Sequence, residues 1–220
     1  MFGRIAHRYD LLNRVLSLGQ DRSWRRLLAQ RVAMAEPQLT LDVCTGTGDV
    51  ALGFDAASET VGTDFCLPML ALAGRKALDR NRSLPLFAGD ALMLPVAGGC
   101  VDVVTVAFGV RNFENLEQGL RELIRVLRPG GVLLILEFSR PSGLFGPLMR
   151  AWVRTVPPRL GRWLSGDSEA YSYLPQSVAE FPQGGRMVGL LESVGLEEVS
   201  AQPVTGGVAT VYQGQRSANG

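Results

Sequence analysis

A glycine-bearing segment near position 45 carries the residues of this chain best suited to bind a small ligand. Residues 46–51 read Gly-Thr-Gly-Asp-Val-Ala, which fits G-x-G-x-x-A, and Asp64 lies 22 residues beyond Asp42. Such glycines let the backbone approach a ligand closely, and an acidic residue ending the next strand can accept hydrogen bonds from ribose hydroxyls. The spacing therefore indicates a cofactor that contains adenosine. It fits a nicotinamide dinucleotide and S-adenosylmethionine equally well.

The acidic residues around this segment favour S-adenosylmethionine. A pyrophosphate rests at a helix N-terminus, where amide groups and the helix dipole favour an anion. Asp42 precedes the segment and Asp49 stands where the next helix is expected to begin, so both would face the phosphates. The ammonium and sulfonium of S-adenosylmethionine would instead be attracted. Asp49 also suits a simple helix cap, whereas Asp90-Ala91 stands where an acidic side chain could meet the adenine amine.

Strands and helices alternate along the chain around these residues. Apolar and β-branched runs predict five strands, at residues 39–44, 60–64, 84–88, 101–106 and 132–138. Helical spacing predicts helices at residues 9–34, 67–78, 116–127 and 190–194, with a short helix from about Asp49. The residues that follow alternate like a pair of edge strands. This order predicts an α/β fold with a mostly parallel sheet and helices on both faces.

The length of 220 residues suits one domain with a substantial core. We expect five parts within it. They are an N-terminal helical cap (1–36), a cofactor-binding core (37–140), an insertion over the substrate (141–185), a C-terminal helix with edge strands (186–213) and a disordered tail (214–220).

Composition excludes several classes of protein. The 22 basic and 21 acidic residues nearly balance, which gives no reason to expect a nucleic-acid partner. Cys44, Cys66 and Cys100 are odd in number and lack metal-ligand spacing, so we expect neither a disulfide framework nor a metal site. A reducing, cytoplasmic setting fits best. No stretch is long and apolar enough to span a bilayer, so any membrane contact would be peripheral.

Several segments together resemble the ubiquinone/menaquinone biosynthesis C-methyltransferases. The similarity covers nearly the whole chain, from residues 5–13 onward. The glycine segment is shared by many methyltransferases, whereas the segments at residues 108–112 and 171–178 are far more specific to this family. The matching segments are Asp42-Val43-Cys44-Thr45-Gly46-Thr47-Gly48-Asp49, Gly62-Thr63-Asp64-Phe65, Phe108-Gly109-Val110-Arg111-Asn112, Glu137-Phe138-Ser139-Arg140-Pro141 and Tyr171-Ser172-Tyr173-Leu174-Pro175-Gln176-Ser177-Val178.

This resemblance implies a class I methyltransferase fold, Rossmann-like, with seven strands of which the last is antiparallel. It implies that S-adenosylmethionine donates a methyl group to a ring carbon of a prenylated quinol, most closely demethylmenaquinol. The family often has serine directly before its Phe-Gly motif, but Ala107 stands here, so that side-chain hydrogen bond is lost or replaced. The expected cofactor-binding residues are Asp42, Gly46, Thr47, Gly48, Asp64, Asp90 and Ala91.

Carbon methylation of such a ring requires the reduced quinol, because an oxidised quinone is electron-poor. Deprotonating a hydroxyl pushes charge onto the neighbouring carbon, so the site needs a base or a held water. The resemblance suggests that Arg111, Asn112 and Tyr9 arrange a water and stabilise the phenolate, with Arg111 acting electrostatically. An alternative makes Arg111 a structural ion-pair partner of Glu114 or Glu137. The sole histidine, His7, is better explained as a surface residue.

Other features leave alternatives open. Arg22, Arg25 and Arg26 near Trp24 favour a solvated helix face around a packed tryptophan over a headgroup or substrate contact. The apolar residues of the insertion suit either a membrane-surface helix that collects the prenyl tail or ordinary packing. A ubiquinone precursor, another small acceptor, a nicotinamide oxidoreductase and a non-catalytic binder remain alternatives to the menaquinone assignment. A homodimer also stays open.

Overall fold

The computed structural model describes Ser17 and residues 19–55, 58–141 and 176–218. These residues build a seven-stranded sheet in the order β3-β2-β1-β4-β5-β7-β6. The strands are β1 (Leu39–Val43), β2 (Glu59–Asp64), β3 (Leu86–Ala88), β4 (Val101–Ala107), β5 (Leu127–Phe138), β6 (Leu196–Val204) and β7 (Ala209–Arg216). The first five pair in parallel, and β7 runs antiparallel to both of its neighbours. The predicted fold class is confirmed, including the antiparallel last strand.

The helices predicted at residues 67–78 and 116–127 are confirmed within one residue, whereas the one predicted at 190–194 begins five residues earlier and the first begins later than predicted. The helices of the described residues are α1 (Asp21–Met34), α2 (Leu67–Asp79), α3 (Leu116–Val126) and α4 (Gly185–Ser193), and residues 176–180 are also helical. Short 3₁₀ turns occupy Ala51–Gly53, Val110–Asn112 and Thr205–Gly207. The short helix expected from about Asp49 is therefore a single 3₁₀ turn that begins two residues later.

The predicted helix over residues 9–34 is wrong at Ser17, Gly19 and Gln20, which lie in a turn. Gly19 has a φ of 76°, a conformation that favours glycine and interrupts a helix. The Gln20 amide donates to the Ser17 carbonyl, and the Ser17 hydroxyl donates to Asp21 at 3.1 Å. The helix thus begins at Asp21, and residues 1–16 lie outside the described residues.

The predicted pair of edge strands is wrong for β7. This strand lies between β5 and β6, so only β6 of the pair is at an edge. All four residues from Ala209 to Tyr212 are buried, as expected for a strand covered on both faces. The strand also extends to Arg216, so residues 214–216 belong to the sheet rather than to the predicted tail.

Side chains of β5 alternate between two hydrophobic clusters, one on each face of the sheet. Leu133 and Ile135 pack in the cluster that includes α3 and α4. Leu134 and Leu136 pack in the cluster that includes Trp24 and its neighbours on α1. Because strand side chains alternate with a period of two, this division fixes which face each helix covers.

Residues 142–175, most of the predicted insertion, lie outside the described residues. Among the helices that the structure describes, none has both the length and the apolar character required to cross a bilayer.

Candidate active site

A cavity of about 490 Å³ opens at the carboxyl ends of the parallel strands. It lies where the strand order reverses between β1 and β4, the usual place for a ligand in an open α/β sheet. Its volume is in the range typical of small-molecule sites. The predicted site residues in its lining are Asp42, Gly46, Thr47, Asp64, Asp90, Ala91 and Asn112.

The turn after β1 is tied to the end of β2 by Asp64. The Asp64 carboxylate accepts hydrogen bonds from the amides of Gly46 and Cys66, each at 2.9 Å. Burial raises the pKa of this carboxyl, and its backbone hydrogen bonds offset part of that rise. A carboxylate has about four acceptor positions, so Asp64 keeps capacity for ribose hydroxyls while it fixes the turn.

Gly48 differs from the other predicted loop residues because it does not line the cavity. Its φ is 77°, and a Cβ at this position would lie 3.0 Å from the Cβ of Ala73 on α2. Glycine is needed here for backbone conformation and close packing. The geometry thus gives Gly48 a role in placing the loop against α2, and a contact between Gly48 and the cofactor stays a prediction.

Asp42 is the acidic residue of the cavity lining that is most deeply buried, with 1 % of its surface exposed. Its carboxylate accepts hydrogen bonds from the hydroxyls of Thr45 at 2.7 Å and Thr105 at 2.6 Å. Burial raises the pKa of Asp42 to about 6, although both hydroxyls act in the opposite direction. Near neutral pH a negative charge can thus lie beneath the glycine turn, where it would attract a cationic ligand.

Asp49 is surrounded by cations. Its carboxylate lies 2.8 Å from Arg25, 2.8 Å from Lys76 and 3.4 Å from Arg80. These partners hold the pKa of Asp49 below its ordinary value despite partial burial. Lys76 also donates to the Thr47 hydroxyl at 2.9 Å. The negative charge that the sequence analysis attributes to Asp49 is offset within the protein, so the attraction to a cationic donor depends mainly on the other carboxylates.

The segment after β3 places Asp90 and Ala91 beside the Asp64 end of the cavity lining. One oxygen of Asp90 accepts a hydrogen bond from the Leu92 amide at 2.9 Å, which orients the side chain. Because β3 lies next to β2, an adenine attached to a ribose at Asp64 would extend toward this segment. That the adenine binds at this segment stays a prediction.

The end of β4 forms the opposite side of the cavity. Ala107, Phe108 and Asn112 line it, so no side-chain hydroxyl stands at position 107. Phe108 has a φ of 59°, uncommon for a residue that is not glycine, and its ring packs 4.5 Å from that of Phe138 between centroids. The Asn112 side-chain amide donates to the Phe108 carbonyl at 3.4 Å. This turn therefore presents Asn112 to the cavity.

Arg111 forms a buried ion pair with Glu137. Its Nη1 lies 2.6 Å from the Glu137 carboxylate, and the two side chains are 4 % and 0 % exposed. The same nitrogen donates to the Phe108 carbonyl at 2.6 Å. Arg111 does not line the cavity. Of the two interpretations of this residue, the geometry favours the structural one, with Glu137 rather than Glu114 as partner.

Arg25 lines the cavity, so the solvated helix face that the sequence favours for the three arginines is wrong for this residue. Arg22 and Arg26 are exposed and Trp24 is buried with its indole nitrogen 2.8 Å from the Thr205 hydroxyl, as the solvated-face interpretation predicts. Arg25 alone of the three arginines turns to the cavity. Its position depends on how α1 packs against a loop 24 residues away, which no local pattern reveals. Tyr9 lies outside the described residues.

The residues present fit S-adenosylmethionine. Acidic side chains at Asp64 and Asp90 suit the nucleoside, and the deeply buried Asp42 supplies negative charge near the glycine turn for the sulfonium and ammonium. A pyrophosphate would lack the regular helix N-terminus it requires, because only a 3₁₀ turn follows the loop. That these side chains contact the cofactor stays a prediction.

Comparison with known proteins identifies the family of the chain. Residues 1–216 match the model of the ubiE/COQ5 methyltransferase family. The chain is 46 % identical over 220 residues to the demethylmenaquinone methyltransferase of Deinococcus radiodurans, covering 98 % of this chain and 91 % of that one. It is 44 % identical over 224 residues to the ubiquinone/menaquinone biosynthesis C-methyltransferase UbiE of Syntrophotalea carbinolica, covering 100 % and 94 %.

Solved structures share the fold at low sequence identity. A SAM-dependent methyltransferase of Thermotoga maritima, described as a possible histamine N-methyltransferase, superposes with a TM-score of 0.68 at 18 % identity, covering 98 % of each chain. The [4+2]-cyclase SpnF superposes with a TM-score of 0.65 at 18 % identity, covering 89 % of this chain and 81 % of that one. The fold thus serves more than one reaction, and family membership must come from the sequence. The chain belongs to the ubiE/COQ5 methyltransferase family, and as a methyltransferase it takes its methyl group from S-adenosylmethionine.

Proposed function

We propose that this enzyme methylates a ring carbon of demethylmenaquinol and so produces menaquinol in menaquinone biosynthesis. The observation that carries the proposal is the similarity over nearly the full chain to relatives named demethylmenaquinone methyltransferase. The similarity extends beyond the cofactor loop to the segments that would meet the acceptor. The name of the Syntrophotalea relative also includes ubiquinone, which makes a ubiquinone precursor the second candidate acceptor.

The reaction replaces a ring hydrogen with a methyl group. When bound, S-adenosylmethionine supplies a methyl group made electrophilic by its positively charged sulfur. The ring carbon of the reduced quinol forms the new carbon–carbon bond, the carbon–sulfur electron pair stays on sulfur, and the displaced ring proton leaves to a base or water. Only the reduced ring is electron-rich enough, so the site must accept the quinol and exclude bulk water.

On the donor side, the roles follow the strand order. Asp64 would accept the ribose hydroxyls, and Asp90 with Ala91 would meet the adenine beside it. Gly46 and Thr47 would approach the amino-acid portion through the turn after β1. The ionised Asp42 would stabilise the cationic end through space, because it is buried beneath the glycine turn and its carboxylate is oriented by the hydroxyls of Thr45 and Thr105.

On the acceptor side, Asn112 is the described residue that we assign to the quinol. Its amide lines the cavity at the mouth of β4, where it can hold a hydroxyl oxygen or a bridging water. The proposal keeps Tyr9 as its partner. Arg111 acts as a positioning residue, since its contacts with Glu137 and the Phe108 carbonyl hold the turn that carries Asn112.

Product analysis with a labelled methyl donor tests the proposal. We expect label to enter chemically reduced demethylmenaquinone, little label in a reduced ubiquinone precursor and none in either oxidised quinone. Preferential labelling of the ubiquinone precursor would replace the menaquinone assignment with the second candidate. Label on an oxygen or nitrogen of an unrelated acceptor would remove both.

We also propose that the enzyme is cytoplasmic and meets its lipophilic substrate at the inner membrane surface. Large apolar side chains are exposed at the same sheet edge as the cavity, with Phe65 at 66 %, Leu67 at 64 % and Met93 at 76 % exposure. Such side chains can enter the headgroup region beside a prenyl tail. We expect the fraction of enzyme that floats with liposomes to fall when all three residues are changed to serine, or when the apolar residues of 141–185 are altered. An unchanged fraction would contradict the proposed membrane contact. That the protein forms a homodimer also stays a prediction, which a molecular mass measured by light scattering can test.

A further inference from the structure

The lining of the cofactor cavity is strongly acidic, with one exception on α1. The acidic lining residues are Asp42, Asp49, Asp64, Asp90 and Glu114. Within the described part of the chain, Arg25 is the basic side chain of this lining. Its side chain is 15 % exposed, so its charge lies in partly desolvated surroundings where electrostatic contacts are strengthened.

The strand order indicates which part of the cofactor would reach Arg25. The adenine and ribose sites follow β3 and β2, at Asp90 and Asp64. The rest of the molecule must then extend over β1 toward β4. Arg25 follows Trp24 on α1, whose ring centroid lies 6.2 Å from that of Phe108 at the end of β4, so this part of α1 lies on the β4 side of the cavity, away from the adenine. The amino-acid portion of the cofactor lies on that side.

That portion carries the one anionic group of S-adenosylmethionine, its α-carboxylate. A carboxylate placed among five acidic residues would be repelled unless a cation or amide donors faced it. We propose that Arg25 binds the α-carboxylate of the methyl donor. The inference rests on the donor assignment and does not depend on which quinol is the acceptor.

Ion pairs on two sides preorganise Arg25 for this contact. Its Nη1 donates to Asp49 at 2.8 Å, and its Nη2 lies 3.5 Å from Asp21 one helical turn earlier. A guanidinium has five N–H donors, and each terminal nitrogen carries two, so both retain a donor for a further oxygen. A planar guanidinium also matches the geometry of a carboxylate.

Arg80 provides a matched control. It approaches the same Asp49 carboxylate at 3.4 Å, but its side chain is 48 % exposed and it does not line the cavity. Removing Arg80 therefore alters the same acidic partner without removing the cation that faces the cofactor.

The test compares two ligands by calorimetry: S-adenosylhomocysteine, and its analogue that lacks the carboxylate but keeps the amine. The wild-type enzyme should bind S-adenosylhomocysteine about tenfold or more tightly than the analogue, as expected for loss of one charge-assisted hydrogen bond. In Arg25→Ala this preference should shrink to within about twofold, because the analogue's affinity changes little. Arg80→Ala should keep the wild-type preference.

The ratio of the two affinities separates recognition from damage to the fold. If Arg25→Ala weakens both ligands equally and keeps the wild-type preference, Arg25 is structural and the proposal is wrong. Should that variant not fold, Arg25→Lys must still show a reduced preference, since an ammonium cannot reproduce the fork of a guanidinium; an unchanged preference there overturns the proposal too. Failure of the wild type to bind S-adenosylhomocysteine at all would instead contradict the donor assignment.

Discussion

Asp42 combines nearly complete burial with a carboxylate whose hydrogen-bond partners are both hydroxyls. Neutral hydroxyl donors do not fully replace water around a charge, so burial dominates and the pKa rises to about 6. The ionised form is therefore disfavoured by folding, whereas the role proposed for Asp42 beside a cationic donor requires that form. Stability and cofactor binding make opposite demands on this residue.

The raised pKa of Asp42 sets the sign of a pH effect on stability. A carboxyl whose pKa is higher in the folded state contributes stability at low pH, and that contribution is lost as the pH rises through about 6. Asp42→Asn cannot ionise. Its free energy of unfolding should therefore rise relative to that of the wild type between pH 4 and 7, by about 2 kcal/mol on conversion of the pKa difference.

Urea unfolding at several pH values measures this difference. Asp79→Asn, at an exposed position on α2, is the control and should follow the wild type across the range. A constant difference between Asp42→Asn and wild type from pH 4 to 7 would show that Asp42 does not titrate as its burial implies.

At the scale of single residues, much of the cavity lining can be predicted from the sequence, whereas its basic residue, Arg25, cannot. Asp42, Asp64 and Asp90 could be predicted because each lies at or just after the carboxyl end of a strand, and these ends meet at one edge of a parallel sheet. Arg25 could not, because helix packing brings it to the loop. Arg111 shows the same limit, since family similarity marks its segment but only the tertiary contact reveals Glu137 as its partner.

At the scale of elements, α3 is packed tightly against the turn that carries Asn112. A Cβ on Gly119 would lie 2.3 Å from the Phe113 ring, which itself lines the cavity. Gly119 is thus a contact point between helix and site. The helix could be predicted from its apolar spacing, whereas this close approach could not, because a glycine inside a helix carries no local sign of what it touches.

Gly119→Ala should destabilise the protein by about 1–3 kcal/mol and weaken S-adenosylhomocysteine binding, because the methyl group displaces Phe113. Gly189→Ala on α4 is the matched control, since no atom lies within 4 Å of its added Cβ. Alanine there should stabilise by about 0.5–1 kcal/mol through helix propensity alone. Thermal unfolding and calorimetry measure both effects, and equal behaviour of the two variants would contradict the packing of α3 on the turn.

Among the strands, those in the parallel part of the sheet could be predicted better than the antiparallel strand β7. Strands β1, β2, β4 and β5 are apolar runs between turn signals, and each was anticipated within a few residues apart from the early start of β5 at Leu127. The neighbours of β7 could not be predicted, because the order in which strands pair is a property of the whole sheet. The signal that the sequence offered for an internal position was the run Ala-Thr-Val-Tyr at residues 209–212, all of which are buried in the structure.

At the scale of the whole molecule, the fold brings donor and acceptor together without defining the acceptor. The same architecture supports a [4+2]-cyclase, so sheet order alone leaves the reaction open. Here the acidic cavity and the Asn112 turn lie at the point where β1 and β4 meet. Family membership identifies a methyl transfer, and the proposed step is methylation at carbon.

The most direct test of that central claim follows one ring hydrogen. Reduced demethylmenaquinone is prepared with deuterium on the ring carbon that accepts the methyl group, and the product is analysed by mass spectrometry after incubation with enzyme and S-adenosylmethionine. We predict that each molecule that gains a methyl group loses its ring deuterium to solvent. A methylated product that retains the deuterium would place the methyl group on oxygen and contradict the account.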